Sequence, residues 1–204
     1  MELTLTVLAE FRTGLCLGMR KPDLDSLRLE TARLILRPLR MEDFDAWAAM
    51  HEDEITMKYI GGRQPRATAW RMFMCMCGAW SMTGIAMFSV LEKSSGKWVG
   101  RLGPWYPEGW PDHEVGWGIA REHWGKGYAS EGAAATMDYA FDVLGWTNVI
   151  HCIEENNVAS QGVAKRLGST LLRRVKMPAP YEHMLVDAWG QTREQWKKRG
   201  SGTE

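Results

Sequence analysis

Apolar and basic positions alternate across residues 33–39 (RLILRPL), the pattern of a half-buried strand, and Met41-Glu42-Asp43 then opens a helix carrying Phe44, Trp47 and Met50. Gly61-Gly62 and Pro65 punctuate the chain before a second helical stretch, 67–80, which places Trp70, Phe73, Met74 and Cys77 on one face. That stripe reads as core, with the wall of a substrate pocket as the other reading. Residues 85–91 and 98–102 form an expected antiparallel hairpin turning at Ser95-Gly96, and 114–120 supplies another strand. Between them, residues 103–113 (GPWYPEGWPDH) hold three prolines and three aromatics, too broken for a strand and too rigid for a linker, so an ordered loop is expected.

Downstream the periods change again. Residues 130–144 read as a helix, 148–153 as a strand, 158–167 as a helix, 170–175 and 184–189 as strands, and 192–198 as a short helix. Early strands followed by alternating strands and helices predict one mixed α/β sheet, and 204 residues suit one domain. Residues 1–24 read as an N-terminal extension to a domain over 25–204. Their apolar pieces are broken by Glu2 and Glu10 and follow no basic segment, which argues against a signal peptide, and Met19 is an alternative start.

Charge narrows the partners. Lysine plus arginine and aspartate plus glutamate both total 25, so no net field recruits nucleic acid or an anionic membrane. No apolar run reaches the roughly 18–20 residues of a membrane span. Cys16, Cys75, Cys77 and Cys152 form no CxxC pair, and the five histidines lack metal-site spacing. Reduced thiols, a soluble cytoplasmic protein, no metal and a small or locally recognised partner are expected.

The most chemical stretch is Trp124-Gly125-Lys126-Gly127-Tyr128-Ala129, between a strand and a helix. Its glycines let the backbone aim several amides at one point, the helix from Ser130 adds its own unpaired amides, and Lys126 can add charge. Alone, such a turn is as readily an ordinary tight turn as a phosphate cradle. It matches neither the P-loop nor the GxGxxG dinucleotide pattern.

In its context, EVGWGIAREHWGKGYASEGA (residues 114–133), the turn resembles the acetyl-coenzyme A motif of the general-control-related N-acetyltransferases, the GNAT superfamily, with WGKGYA similar to its Rim-type branch of ribosomal-protein N-terminal acetyltransferases. The family pattern Q/R-x-x-G-x-G/A falls on Trp124 to Ala129, and Trp124 departs from it at the first position, as is common in that branch. A second family motif, Asn-x-x-Ser/Ala ahead of a helix and a glycine, resembles Asn157-Val158-Ala159-Ser160 through Gly168; Asn157 also suits a plain helix cap. The resemblance spans roughly residues 27–196. It implies a mostly antiparallel sheet of about seven strands, flanked by helices and splayed between the fourth and fifth. It also implies acetyl-CoA as co-substrate and backbone contacts to its pantetheine arm around Trp117, Gly118 and Ile119. Two positions depart: Ala164 stands where many members carry a tyrosine acid, and Ser169 where a phenylalanine follows the helix glycine.

Acyl transfer from a thioester needs a neutral amine held near the carbonyl, a proton acceptor and donors for the developing oxyanion. Glu114, two residues before Gly116 on the strand bordering the cofactor, is the preferred base; a solvent-facing glutamate, with Asp112 and His113 serving instead, is the other reading. Ser160 is the candidate acid that similar Rim-type enzymes suggest. Trp105, Tyr106, Trp110 and the helix from Trp70 to Trp80 are candidate substrate contacts, an apolar or cation-binding wall around an amine, or else a hydrophobic lid or dimer contact. The expected activity is acetyl transfer to a primary amine, either a protein N-terminus or a small molecule, by a protein that could be a homodimer. A catalytically weak acyl-CoA sensor is the competing reading.

Overall fold

The computed structural model describes residues 22–200; most of the segment read as an extension, with Cys16 and Met19, lies outside the described residues. The chain opens with β1 (Leu29–Glu30) and β2 (Leu34–Arg37), then α1 (Phe44–Glu52), α2 (Glu54–Met57) and α3 (Arg66–Thr83). The hairpin follows as β3 (Phe88–Glu92) and β4 (Trp98–Trp105), then β5 (Glu114–Ile119) and α4 (Tyr128–Asp138). It closes with β6 (Asn148–Ile153), α5 (Val158–Arg166), β7 (Thr170–Lys176), β8 (Leu185–Thr192) and α6 (Arg193–Gly200). Among the described residues eight strands form one sheet in the order β1-β2-β3-β4-β5-β6-β8-β7. Every pair is antiparallel except β5 with β6.

Several local readings needed adjustment. Arg37 does not sit on a solvent face: it is buried, and its guanidinium donates to both Asp43 carboxylate oxygens at 2.8 Å, while Ser89 Oγ donates to Asp43 Oδ2 at 2.7 Å. A buried arginine persists because its charge is paired and hydrogen-bonded. On α3 the buried face is Ala69, Phe73, Met76 and Trp80, while Trp70 lies exposed against the edge of the Phe44 ring. The helix stops where Gly84 turns left-handed (φ 72°) and returns its N–H to the Trp80 carbonyl at 3.1 Å.

The expected loop over 103–113 gives up its first residues to β4, where Pro104 pairs with Val115 and Trp105 with Glu114. β3 pairs only as far as Leu102, so beyond it β4 has one neighbour and a proline without an N–H is tolerated.

β4 is covered on both faces. The Arg101 guanidinium lies over Trp47 of α1, and Leu102, fully buried, meets α4 on the other side at Gly132. A Cβ at Gly132 would stand 2.5 Å from Leu102 Cδ2. Gly132→Val is therefore expected to destabilise the fold by about 1–3 kcal/mol, read as a lower urea midpoint, because the buried leucine has no space to yield. An unchanged midpoint would mean α4 is free to ride away from the sheet.

Candidate active site

The parallel pair β5–β6 holds at a single rung, Glu114 opposite Ile150, with the Ile150 N–H donating to the His113 carbonyl at 2.8 Å. Past that rung side chains replace the ladder. The Cys152 N–H donates to Glu114 Oε1 at 3.0 Å, and the His151 ring binds the Val115 carbonyl through Nδ1 at 2.7 Å. Burial holds the His151 pKa down near 4, so the ring is neutral; with Nδ1 donating, Nε2 accepts from Ser169 Oγ at 3.0 Å. Gln191 Nε2 in turn donates to Ser169 Oγ at 2.9 Å, which gives the family-divergent Ser169 a polar role in wedging the strands apart.

The splay thus lies between β5 and β6, the fourth and fifth strands once the two-residue β1 is set aside. β5 keeps its full pairing with β4, from Gly100–Ile119 to Trp105–Glu114. Alternation then turns the backbone groups of Val115, Trp117 and Ile119 to the open side, while Gly116 and Gly118 turn theirs to β4. Of Trp117, Gly118 and Ile119, expected to meet the pantetheine arm by their amides, Trp117 and Ile119 turn their backbone to the gap and Gly118 turns its own to β4.

At the end of β5 the turn is built as a nest. Gly125 and Gly127 adopt left-handed angles (φ 74° and 81°), Gly127 caps α4, and the first helical bond runs from the Glu131 N–H to the Gly127 carbonyl at 3.1 Å. The amides of Tyr128, Ala129 and Ser130 are therefore outside the helix ladder. A Cβ at Gly125 would meet nothing within 4 Å, so the space beside that glycine is open. A pyrophosphate suits this arrangement of α-helix N-terminus and convergent amides.

Trp124, the departure from the family pattern, anchors the turn: its indole N–H donates to the Ile119 carbonyl at 2.7 Å. Arg33 of the early strand region anchors the other side, binding the Lys126 carbonyl at 2.9 Å and Glu131 at 2.6 Å. That pairing neutralises the carboxylate in the first turn of α4. The Tyr128 hydroxyl points away to Glu92, so any contribution of Tyr128 to a phosphate comes through its amide.

A cavity of about 340 Å³ opens where β5 and β6 part. Glu114 lies in its wall, 6 % exposed, with Trp110 Nε1 donating to Oε2 at 2.6 Å. Burial raises its pKa to about 7, against the Cys152 and Trp110 hydrogen bonds and the charge of Arg101, all of which pull it down. A carboxyl titrating near neutrality can both take and hold a proton. Burial instead pushes the Cys152 thiol up, so it stays protonated. Ser160 Oγ, also on the cavity wall, accepts from Trp117 Nε1 at 3.2 Å and so links α5 to β5 across the gap. Asn157 caps α5, its Oδ1 accepting from the Ser160 N–H at 3.1 Å.

The comparisons with known proteins agree with this geometry. The sequence pattern of the acetyltransferase (GNAT) domain matches residues 33–170, more than half of the chain. The protein belongs to the GNAT acetyltransferase family. It is similar to the uncharacterized protein YkkB of Bacillus subtilis, 34% identical over 105 residues, which are 48% of this chain and 61% of YkkB, so the chain spans less than two thirds of that relative. It is also similar to the uncharacterized N-acetyltransferase p20 of Bacillus licheniformis, 29% identical over 157 residues, covering 76% of this chain and 86% of p20. Among solved structures, the acetyltransferase of Agrobacterium tumefaciens matches with TM-score 0.73 and 28% identity over 82% of this chain and 95% of its own.

Within this GNAT fold the sequence candidates separate into groups. Glu114, Trp105, Trp110, Trp117, Asn157 and Ser160 all reach the cavity. Tyr106 does not: it is half exposed, its ring against His113, whose own ring stacks on Trp146 at 4.4 Å. Asp112 and His113, the alternative bases, likewise stand outside the cavity wall. Ala164, fully buried, offers no acid. The α3 helix does wall the cavity, but through Met72, Cys75 and Met76 rather than the expected stripe, and sequence reasoning missed Arg101, Met87 and the loop between β7 and β8 that brings Tyr181 to the cavity. Only Arg101 left a signal, a charged residue inside the apolar strand WVGRL.

Among the described residues, no helix is long and apolar enough to cross a membrane and no cluster of three histidine, cysteine or acidic side chains is arranged to hold a metal.

Proposed function

We propose that this acetyltransferase moves the acetyl group of acetyl-CoA to a primary amine in the cavity, by direct attack in a ternary complex, with Glu114 as general base. The observation that carries the reading is the Glu114 carboxyl, buried at the strand parting, facing the cavity and titrating near pH 7. The turn from Trp124 to Ser130 holds the pyrophosphate through its amides, Lys126 adds charge, and the Trp117 backbone and the Ile119 N–H, both on the open side of β5, receive the pantetheine arm.

Glu114 takes a proton from the ammonium, directly or through one water, and the freed nitrogen lone pair forms the N–C bond as the C–S bond breaks. The nitrogen sheds its second proton as the amide forms: it passes to the departing sulfur through Ser160 Oγ, which gives its own proton and takes this one, or it goes to water while the sulfur leaves as a thiolate, with a pKa of roughly 8.5 for an ordinary thiol. The apolar walls from Trp105, Trp110 and Met87 exclude water, which otherwise competes with the amine.

The absence of an acid at Ala164 supports the competing reading, a sensor that binds acyl-CoA without efficient turnover. Calorimetric titration with acetyl-CoA, followed in the same preparation by thiol release over a panel of amines and N-terminal peptides, separates the two. Binding with amine-dependent release supports the transferase. Binding without release supports the sensor, and no binding overturns both.

A further inference from the structure

Arg101 projects from the centre of β4 into the same cavity and is buried, 5 % exposed. A guanidinium cannot shed its charge in a protein and carries five donors, so burial normally brings a carboxylate with it. Arg37 follows that rule through Asp43. Arg101 does not: its guanidinium lies over the Trp47 ring, but among the described residues its only side-chain hydrogen bond runs from Nη1 to the Met87 sulfur at 2.6 Å, and Nε finds no partner. Glu114 and Tyr181 favour its charge from a distance, and no described acid closes a salt bridge with it.

The positions of the two charged groups are linked through Met87. Its sulfur meets the Arg101 guanidinium, and its methyl stands 2.7 Å from where a Cβ on Gly116 would be; the same point lies 3.4 Å from Glu114 Oε1. One thioether side chain therefore separates the fixed cation from the candidate base, over a glycine that leaves the floor bare. Met72, Met76 and Met184 add adaptable apolar wall around them.

We propose that Arg101 is the anion subsite of the acceptor, and that the acceptor is a small amine carrying a carboxylate a few bonds away, of which an apolar amino acid is the simplest case. The inference rests on the transferase reading of the cavity. A carboxylate can accept two hydrogen bonds from the guanidinium and supply its missing counter-charge, while the amine lies toward Glu114. Polyamines and aminoglycosides, which bring further positive charge to a buried arginine, are disfavoured by the same electrostatics.

The test pairs leucine, methionine and phenylalanine with their own amides, in wild type and in Arg101→Lys and Arg101→Met. Loss of the carboxylate is expected to reduce wild-type kcat/KM by on the order of ten- to a hundredfold for at least one pair, the scale of a charge-assisted bond. In Arg101→Met the acid-to-amide ratio is expected to collapse toward one, with Arg101→Lys in between and acetyl-CoA affinity confirming that each variant is folded. Wild-type protein that treats acids and amides alike, or prefers amides, overturns the subsite whether or not the variants fold. Where neither form is acetylated, the same pairs are titrated into the CoA-saturated protein. Acid-selective binding lost in Arg101→Met then preserves the subsite and sinks only the transferase reading, whereas equal binding or none overturns the subsite.

Discussion

Glu114→Ala is expected to lower kcat by on the order of 10²–10⁴-fold, the usual range for a general base, with acetyl-CoA affinity by calorimetry nearly unchanged. The two effects separate because the carboxyl faces the cavity while the glycine turn proposed to hold the pyrophosphate lies beyond the other end of β5. Wild-type kcat/KM should rise with pH through about 7 as the base form populates, and that limb should vanish in the variant. An unchanged rate and pH profile would remove Glu114 from the chemistry.

Stability carries the opposite sign for the same group. The folded pKa of about 7 lies above the ordinary 4.5, so the unfolded chain ionises first and the contribution of Glu114 is lost as pH climbs from 4.5 to 7. His151, held near 4 against an ordinary 6.5, loses its contribution as pH falls through that window. Urea melts of Glu114→Ala against pH should show the first slope removed and the second retained.

Gly127→Val is expected to weaken acetyl-CoA binding by on the order of a hundredfold, with the fold intact. At φ 81° a β-branched residue is strained, so the turn must reorganise. The reorganisation redirects the amides at the start of α4, each of which, bonded to a charged oxygen, contributes about 1.5–3 kcal/mol. Arg33 Nη2 stands 3.5 Å from the new Cβ, so the anchor holding the Lys126 carbonyl is disturbed as well. Gly145→Ala provides the control: it also sits at positive φ (70°), with nothing within 4 Å, but lies outside the turn that opens α4. It should lose some stability and no affinity. Equal affinities for wild type and Gly127→Val would show that the pyrophosphate is held elsewhere.

The glycine turn and the sheet's main strands were legible in the chain because their causes are local. Left-handed angles at Gly125 and Gly127 and the Asn157 cap each follow from a few adjacent residues. The sequence also singled out Glu114 and Trp110, but it could not choose between a buried and a solvent-facing carboxylate. That choice belongs to Cys152 on β6 and to the loop carrying Trp110, which close over Glu114 only in the folded sheet.

Chain period was thus sufficient for the α/β class, and the resemblance carried by residues 114–133 and 157–168 for the family. The tertiary structure alone decided that Arg37 is neutralised while Arg101 is not, that Tyr106 leaves the cavity while Tyr181 enters it, and that His151 and Glu114 hold β5 and β6 apart. The physical reason is distance along the chain. These environments are built by side chains from β3, β4, β6, α3 and the β7–β8 loop, and burial, which sets charge and pKa, belongs to the assembled neighbours rather than to any one segment.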